Sequence, residues 1–142
     1  MECLISIVMP VYNAVPFLKD AVDSLLNQSF RDFELIVVDD ASTDASLEIL
    51  LSYDDPRIVI LKNATNLGNY PSRNKGMAVA KGRYICVMDA DDIAMPNRLE
   101  VQFNFLESHS EILACGSSFR LIGDERVHIT VRDYESIQKA LL

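Results

Sequence analysis

The sequence predicts an α/β fold: a mostly parallel central sheet with helices on both faces. Three observations predict it. Apolar runs and segments with helical spacing alternate in the order β-α-β-α-β-α-β-α-β-β-α, and such alternation builds parallel sheets through crossover connections. The strand candidates are short continuous apolar runs bounded by turn residues, as buried strands are. With 142 residues, 49% of them apolar, the chain can bury one real core.

Residues 4–11 are apolar except for Ser6 and Pro10. They read as a central strand, with Pro10 near its exit, where a missing N–H is tolerable. In residues 16–27, Leu18, Ala21, Val22, Leu25 and Leu26 recur at helical spacing, and Pro16 suits the first turn. Residues 33–38 form a second buried strand that ends in Asp39-Asp40. Residues 41–44 start a helix to about Leu51, with Ser42 or Thr43 as N-cap and Asp44 in the first turn. Asp54-Asp55-Pro56 is a turn, and residues 58–61 are a short third strand. A polar loop over 63–71 contains Gly68 and leads into a helix from about Tyr70 to Ala80, with Gly82 as its left-handed stop. Residues 84–88 read as a buried strand before the acidic tetrad Asp89-Ala90-Asp91-Asp92.

Pro96 opens another helix to about Ser108, with Leu99, Phe103 and Leu106 inward. Residues 112–121 read as a strand that Gly116 could break, and Gly123-Asp124 turns it into a hairpin with 127–131. Asp133 caps a last helix carrying Tyr134, Ile137 and Leu141 on one face. The chain stops in mid-helix at Leu142, so residues 1–142 read as one domain, truncated at its C-terminus, of a longer protein.

A net charge of −8 argues against a nucleic-acid partner. It also means that a phosphate-bearing ligand needs local help from a metal or a helix N-terminus. Cys3, Cys86 and Cys115 are odd in number and lack metal-ligand spacing, so buried reduced thiols in a cytoplasmic setting are expected. No apolar stretch reaches the roughly 18 residues of a membrane span, and Met1-Glu2 leads straight into a strand with no secretion signal.

Three carboxylates in four residues repel one another unless water or a cation compensates them. In an extended backbone Asp89 and Asp91 point the same way, with small Ala90 between them. Such a pair suits Mg2+ or Mn2+, with water and a ligand's phosphates completing the shell; an acidic solvated turn is the alternative. Ligands of open α/β sheets bind beyond the carboxyl ends of the strands. Tyr12-Asn13, Asp39-Asp40 and the tetrad all lie at such ends. Tyr12 could stack on a planar ring or be a half-buried strand end. Asp39 or Asp40 could accept a base N–H or cap a helix. Together the three ends point to a nucleoside-diphosphate site.

Four blocks add to this reading. They are Ile5-Ser6-Ile7-Val8-Met9-Pro10-Val11-Tyr12-Asn13; Glu34 through Val38 to Asp39-Asp40-Ala41-Ser42-Thr43-Asp44; Asn66-Leu67-Gly68 with Ser72-Arg73-Asn74-Lys75-Gly76; and Lys81-Gly82-Arg83-Tyr84-Ile85 through Asp89-Ala90-Asp91-Asp92. In this order and spacing, over nearly all of residues 4–100, the sequence resembles the nucleotide-binding part of the family-2 glycosyltransferases. The resemblance implies the Rossmann-like GT-A fold. It places Pro10 and Tyr12 in the base pocket beside Asn13, with Asp40 accepting the base N–H and Asp39 supporting the loop. Asp89 would reach the ribose or the metal shell, next to Ala90, and Asp91 would ligate Mn2+ or Mg2+. Asn66 and Gly68 would shape the loop near the donor. Arg73 would approach the phosphates or pair with the acidic edge, and Asn74 and Gly76 would pack.

The implied reaction is inverting transfer of a sugar from a nucleoside-diphosphate donor, with uridine as the expected base and thymidine or guanosine as alternatives. The acceptor would be a sugar or a lipid-linked sugar in surface-glycan synthesis, which would put the parent protein at the inner membrane face; a homodimer is a further possibility. No residue fits the general base: Asp124-Glu125 reads as a solvated turn, and Asp133 and Glu135 as helix-start residues. Donor binding with an incomplete catalytic site is therefore expected. A nucleotidyltransferase is disfavoured because Tyr12-Asn13-Ala14-Val15 replaces a Gly-rich phosphate loop. A phospho-acceptor receiver is disfavoured because its acidic pair would follow the first strand. A binding or scaffolding module of the same fold is the remaining alternative.

Overall fold

The computed structural model describes residues 3–123 and the backbone of residues 127–128. The chain divides after Asn97 into two compact units. The first contains β1 (Ile5–Val11), α1 (Val15–Leu26), β2 (Phe33–Asp39), α2 (Ser46–Leu51), β3 (Ile58–Lys62), α3 (Asn69–Val79) and β4 (Tyr84–Val87). Its sheet is all parallel in the order β3-β2-β1-β4. The most apolar runs, β1 and β2, take the centre, where Ile7, Val8, Met9, Leu35, Ile36 and Val37 are buried. Register pairs Val8 with both Ile36 and Val87.

Helices cover both faces. α1 buries Leu18, Ala21, Val22 and Leu25, the expected stripe, while Leu26 is only half-buried. Each fully buried Leu contributes about 2 kcal/mol. α1 meets α2. On the opposite face α3 presses onto β1 and β2 at Gly76, where a Cβ would lie 2.5 Å from Val8 Cγ1. Right-handed crossovers require this arrangement, because β1-β2-β3 advances one way and β4 returns to the far side of β1. The reversal leaves a crevice at the carboxyl ends of β1 and β4.

Several expectations are corrected. β4 is an edge strand in this sheet, and Ile85 and Val87 are exposed. α2 begins at Ser46, because Ser42 and Thr43 bond to Asn13 instead of capping it. Gly82 is not left-handed. It is needed for close approach, since a Cβ there would lie 2.3 Å from the Ser6 nitrogen. Ser6 Oγ accepts the N–H groups of Lys81 (3.1 Å) and Gly82 (2.7 Å) and donates to Glu34 Oε1 (2.6 Å), pinning this turn to the sheet. Cys3, Cys86 and Cys115 are half-buried thiols, not buried ones. The expected turn at 54–56 is present, closed by Ile58 N–H on the Asp55 carbonyl at 3.0 Å.

Pro96 does not open a helix. Its carbonyl accepts the Ser29 N–H at 2.8 Å, tying this segment to the end of α1. In the second unit α4 spans Arg98–Ser108, with Leu99 buried and Phe103 and Leu106 half-buried. The expected strand over 112–121 shrinks to β5 (Phe119–Arg120), which pairs antiparallel with β6 (Val127–His128). Gly116-Ser117-Ser118 has little β preference. Asp124, Glu125 and the helix expected from Asp133 lie outside the described residues.

Candidate functional site

A cleft of about 520 Å³ opens at the carboxyl ends of the strands in the first unit, a size suited to a small-molecule ligand. Its walls come from Pro10, Tyr12 and Asn13 after β1, Asp40 after β2, Gly68 before α3, and Asp89, Ala90 and Asp91 after β4. Eight of the expected site residues thus share one cavity. Asp39 and Arg73 stand behind its wall. Phe17, in the first turn of α1, is a wall residue the sequence reading missed. The helical stripe of α1 accounts for Leu18, and an exposed aromatic next to it is the signal that was available.

The β1 exit is held by cross-loop bonds. Asn13 adopts φ 51°, a left-handed conformation that Asn tolerates. Its Oδ1 accepts from Thr43 N–H (2.8 Å) and Asp44 N–H (3.3 Å), and its own N–H donates to Ser42 Oγ (3.1 Å). Asp44 accepts the N–H groups of Ser46 (2.9 Å) and Val15 (3.3 Å), so one carboxylate serves the starts of both α1 and α2. The side-chain oxygen of Asn13 therefore fixes the loop that presents Tyr12, which stays half-exposed at the cleft.

Asp39 and Asp40 are both 2% exposed. Asp39 faces inward and accepts the Ser42 N–H at 3.3 Å. Asp40 Oδ1 accepts Asn63 Nδ2 (2.7 Å) and Leu67 N–H (2.9 Å), and its Oδ2 accepts Gly68 N–H (2.7 Å). Burial alone would raise its pKa, but the bonds from Asn63, Leu67, Gly68 and Ser72 outweigh it and hold the carboxyl below its ordinary value. Asp40 nonetheless lines the cleft, where its carboxylate can meet a ligand donor. Gly68, at φ 90°, supplies the backbone geometry that aims its N–H at Asp40.

The tetrad is not an extended strand end. Asp92 N–H bonds the Asp89 carbonyl at 3.2 Å, closing a turn, so the shared-face argument for Asp89 and Asp91 does not hold. The two carboxylates still reach the same cleft. Asp89 Oδ1 pairs with Arg73 Nη2, while Asp91 is exposed and has no partner among the described residues. Arg73 Nε is buried without an acceptor among the described residues. No group of three or more His, Cys, Asp or Glu side chains gathers among the described residues. The donor set nevertheless fits a hard divalent cation: hard oxygens from Asp91 and from the second oxygen of Asp89, with water and phosphate for the rest.

A family model described as Glycosyl transferase family 2 matches residues 6–139. A protein of Methanocaldococcus jannaschii named as an uncharacterised glycosyltransferase is 43% identical over 113 residues, 77% of this chain and 39% of that protein. The Escherichia coli UDP-Glc:alpha-D-GlcNAc-diphosphoundecaprenol beta-1,3-glucosyltransferase WfgD is 38% identical over 105 residues, 74% of this chain and 42% of that protein. Among solved structures, S. aureus TarS 1-349 in complex with UDP superposes with a TM-score of 0.72 at 30% identity, covering 75% of this chain and 33% of that one. A Pyrobaculum calidifontis mannosyltransferase in complex with GDP-Man and Mn2+ shares the fold at a TM-score of 0.62 and 23% identity, covering 68% of this chain and 30% of that one. This chain spans about two-fifths of the length of the curated relatives it matches.

Proposed function

The chain belongs to glycosyl transferase family 2, and on that premise we propose that it is the donor-binding part of an inverting glycosyltransferase using a nucleoside-diphosphate sugar, with UDP as the expected nucleotide. The observation that carries this reading is the convergence of Tyr12, Asp40, Asp89 and Asp91 on one cleft at the topological switch point. Tyr12 stacks on the base, and the Asp40 carboxylate at the cleft wall takes the ring N–H. Asp91 and the second oxygen of Asp89 hold Mn2+ or Mg2+ at the diphosphate. Arg73 keeps Asp89 turned to the acidic edge, the pairing role rather than the phosphate role.

Once bound, the cation supplies Lewis-acid stabilisation of the charge developing on the leaving diphosphate. The protein's own contribution is orientation: a preformed base pocket and carboxylates that fix the phosphate end. In this reading the three cleft carboxylates, Asp40, Asp89 and Asp91, have binding roles, and none of them is assigned as the base for the acceptor hydroxyl. The likeness to WfgD, whose name specifies a diphosphoundecaprenol-linked sugar, supports a lipid-linked acceptor and a place in surface-polysaccharide synthesis. A lipid-linked acceptor would place the parent protein at the inner membrane face; no helix among the described residues is long and apolar enough to cross a membrane.

Calorimetric titration with UDP, with and without Mn2+, tests the reading. UDP binding strengthened by Mn2+, and no longer metal-sensitive in Asp91→Ala, is the expected result. Equal affinity for UDP in the wild type with and without the metal would overturn it.

A further inference from the structure

Behind Asp40 lies a polar chain, Asn63, Ser72 and Lys75, to which the sequence reading assigned no role. Asn63 follows β3 directly, and its N–H extends the ladder to the Asp39 carbonyl at 2.9 Å. Its side chain is buried and fully used. Nδ2 donates to Asp40 Oδ1 (2.7 Å) and to Ser72 Oγ (2.9 Å), while Oδ1 accepts Lys75 Nζ at 2.8 Å. Lys75 also donates to the Lys62 carbonyl at 2.6 Å, which anchors it. An ammonium can only donate and a carboxylate can only accept. Between them the Asn63 amide has a single workable orientation, oxygen to Lys75 and nitrogen to Asp40. Without Lys75 the Asn63 oxygen loses its donor, and the amide loses the anchor that holds its nitrogen against Asp40.

We propose that Lys75 and Asn63 are positioning residues for base recognition: Lys75 sets the Asn63 amide, and Asn63 holds Asp40 ionised and aimed at the base. This rests on the donor-site reading above and adds a selectivity to it. An ionised acceptor at the cleft wall favours bases with a ring N–H, as in uracil, thymine or guanine, and rejects cytosine, whose ring nitrogen there is an acceptor. Among the described residues the Asp40 carboxylate accepts from Asn63, Leu67 and Gly68 and from no Lys or Arg. Arg73 is paired with Asp89, Lys62 lies beside Asp39 in the β3 register, and Tyr12, Asp44, Asp89 and Asp91 bring no positive charge. Lys75 therefore acts on Asp40 through Asn63.

The test compares UDP with Mn2+-pyrophosphate, which lacks the base, in calorimetric titrations of the full chain from about pH 3 to about pH 8, a range that brackets carboxylate titration. Lys75 is exposed, so Lys75→Met leaves the fold intact. It should weaken UDP about tenfold, the size of one bond to a charged group. It should also move the acid limb of UDP binding to higher pH, leave pyrophosphate unchanged, and be rescued by Lys75→Arg. Asn63→Ala should show the same pattern more strongly. Wild-type UDP affinity and acid limb in Lys75→Met, or equal weakening of both ligands, would overturn the proposal alone. Failure of the wild-type chain to bind UDP at all would overturn the donor-site reading and this proposal with it.

Discussion

The two ends of the cleft are built in opposite ways. At the Asp40 end the carboxylate is buried, and three donors fix it in place. At the Asp89–Asp92 end a turn after an edge strand carries an exposed Asp91, unpaired among the described residues, and a half-exposed Asp89 held by one arginine. The first end is organised before any ligand arrives, because leaving buried donors unmet is costly. The second leaves its oxygens free for a cation, at the price of local repulsion. A site that selects a base and then gathers a charged diphosphate needs this division: rigidity where hydrogen-bond direction matters, open valences where charge is exchanged.

The largest expected effect breaks the open end. Asp91→Ala should reduce Mn2+-dependent UDP affinity by about a hundredfold or more, since one of only two carboxylates there is lost. Its melting temperature should barely change, because the side chain is exposed and unpaired among the described residues. Calorimetry and thermal melts on the same preparations check both halves.

Asp40→Asn breaks the organised end and should lower stability as well as UDP affinity. Whichever way the new amide turns, its NH2 faces a donor, either Gly68 N–H or the Asn63 and Leu67 pair. A loss of about 2 kcal/mol is expected, or roughly 5 °C in Tm. The carboxyl of Asp40 is held below its ordinary value, so the stability it adds is present above the unfolded pKa, near about 4, and is lost as pH falls through the folded pKa. The wild-type advantage in denaturant melts should therefore be constant from pH 5 to 8 and shrink below pH 4. An advantage that grew on acidification would contradict the assignment.

How much of this was visible in the sequence follows the same division. β1, β2 and the stripe of α1 were legible because burial is written as apolar runs and helical spacing. The strand ends that carry Tyr12, Asp40 and Asp91 were legible through their unusual residues. The start of α2 was not, because Ser42 and Thr43 bond across to Asn13 while Asp44 reaches Val15, and local cap rules do not see partners about thirty residues away. Gly82 was misread for a related reason: its constraint is the Ser6 backbone, not its own helix. Asn63 and Lys75 read as loop and surface residues until the fold placed them behind Asp40.

Arg73→Ala sharpens the contrast by loosening Asp89 without removing a ligand. The pair is partly exposed, so little stability is at stake. Asp89 would lose its anchor and face Asp91 without a counter-charge. UDP should weaken by about threefold to tenfold in Mn2+, and binding of a base-bearing ligand without phosphates, such as uridine, should be unchanged. A change in uridine affinity would show that the two ends are not separable.

The smallest effect is at the organised end. Ala41, next to Asp40, sits at φ 60°, where a Cβ is strained. Strain of this kind is about 1 kcal/mol or a little more, and glycine removes it at the expense of greater freedom in the unfolded chain. The two contributions oppose each other, and the folded-state relief is the larger because the backbone here is held by bonds on either side: Asp40 N–H to the Val11 carbonyl at 2.8 Å and Ser42 N–H to Asp39 at 3.3 Å. Ala41→Gly should accordingly raise stability by about 0.5 kcal/mol and leave UDP affinity unchanged. If affinity rose along with stability, the strain would be working against the base pocket; if both fell, the alanine would be holding Asp40 in place rather than merely being tolerated beside it.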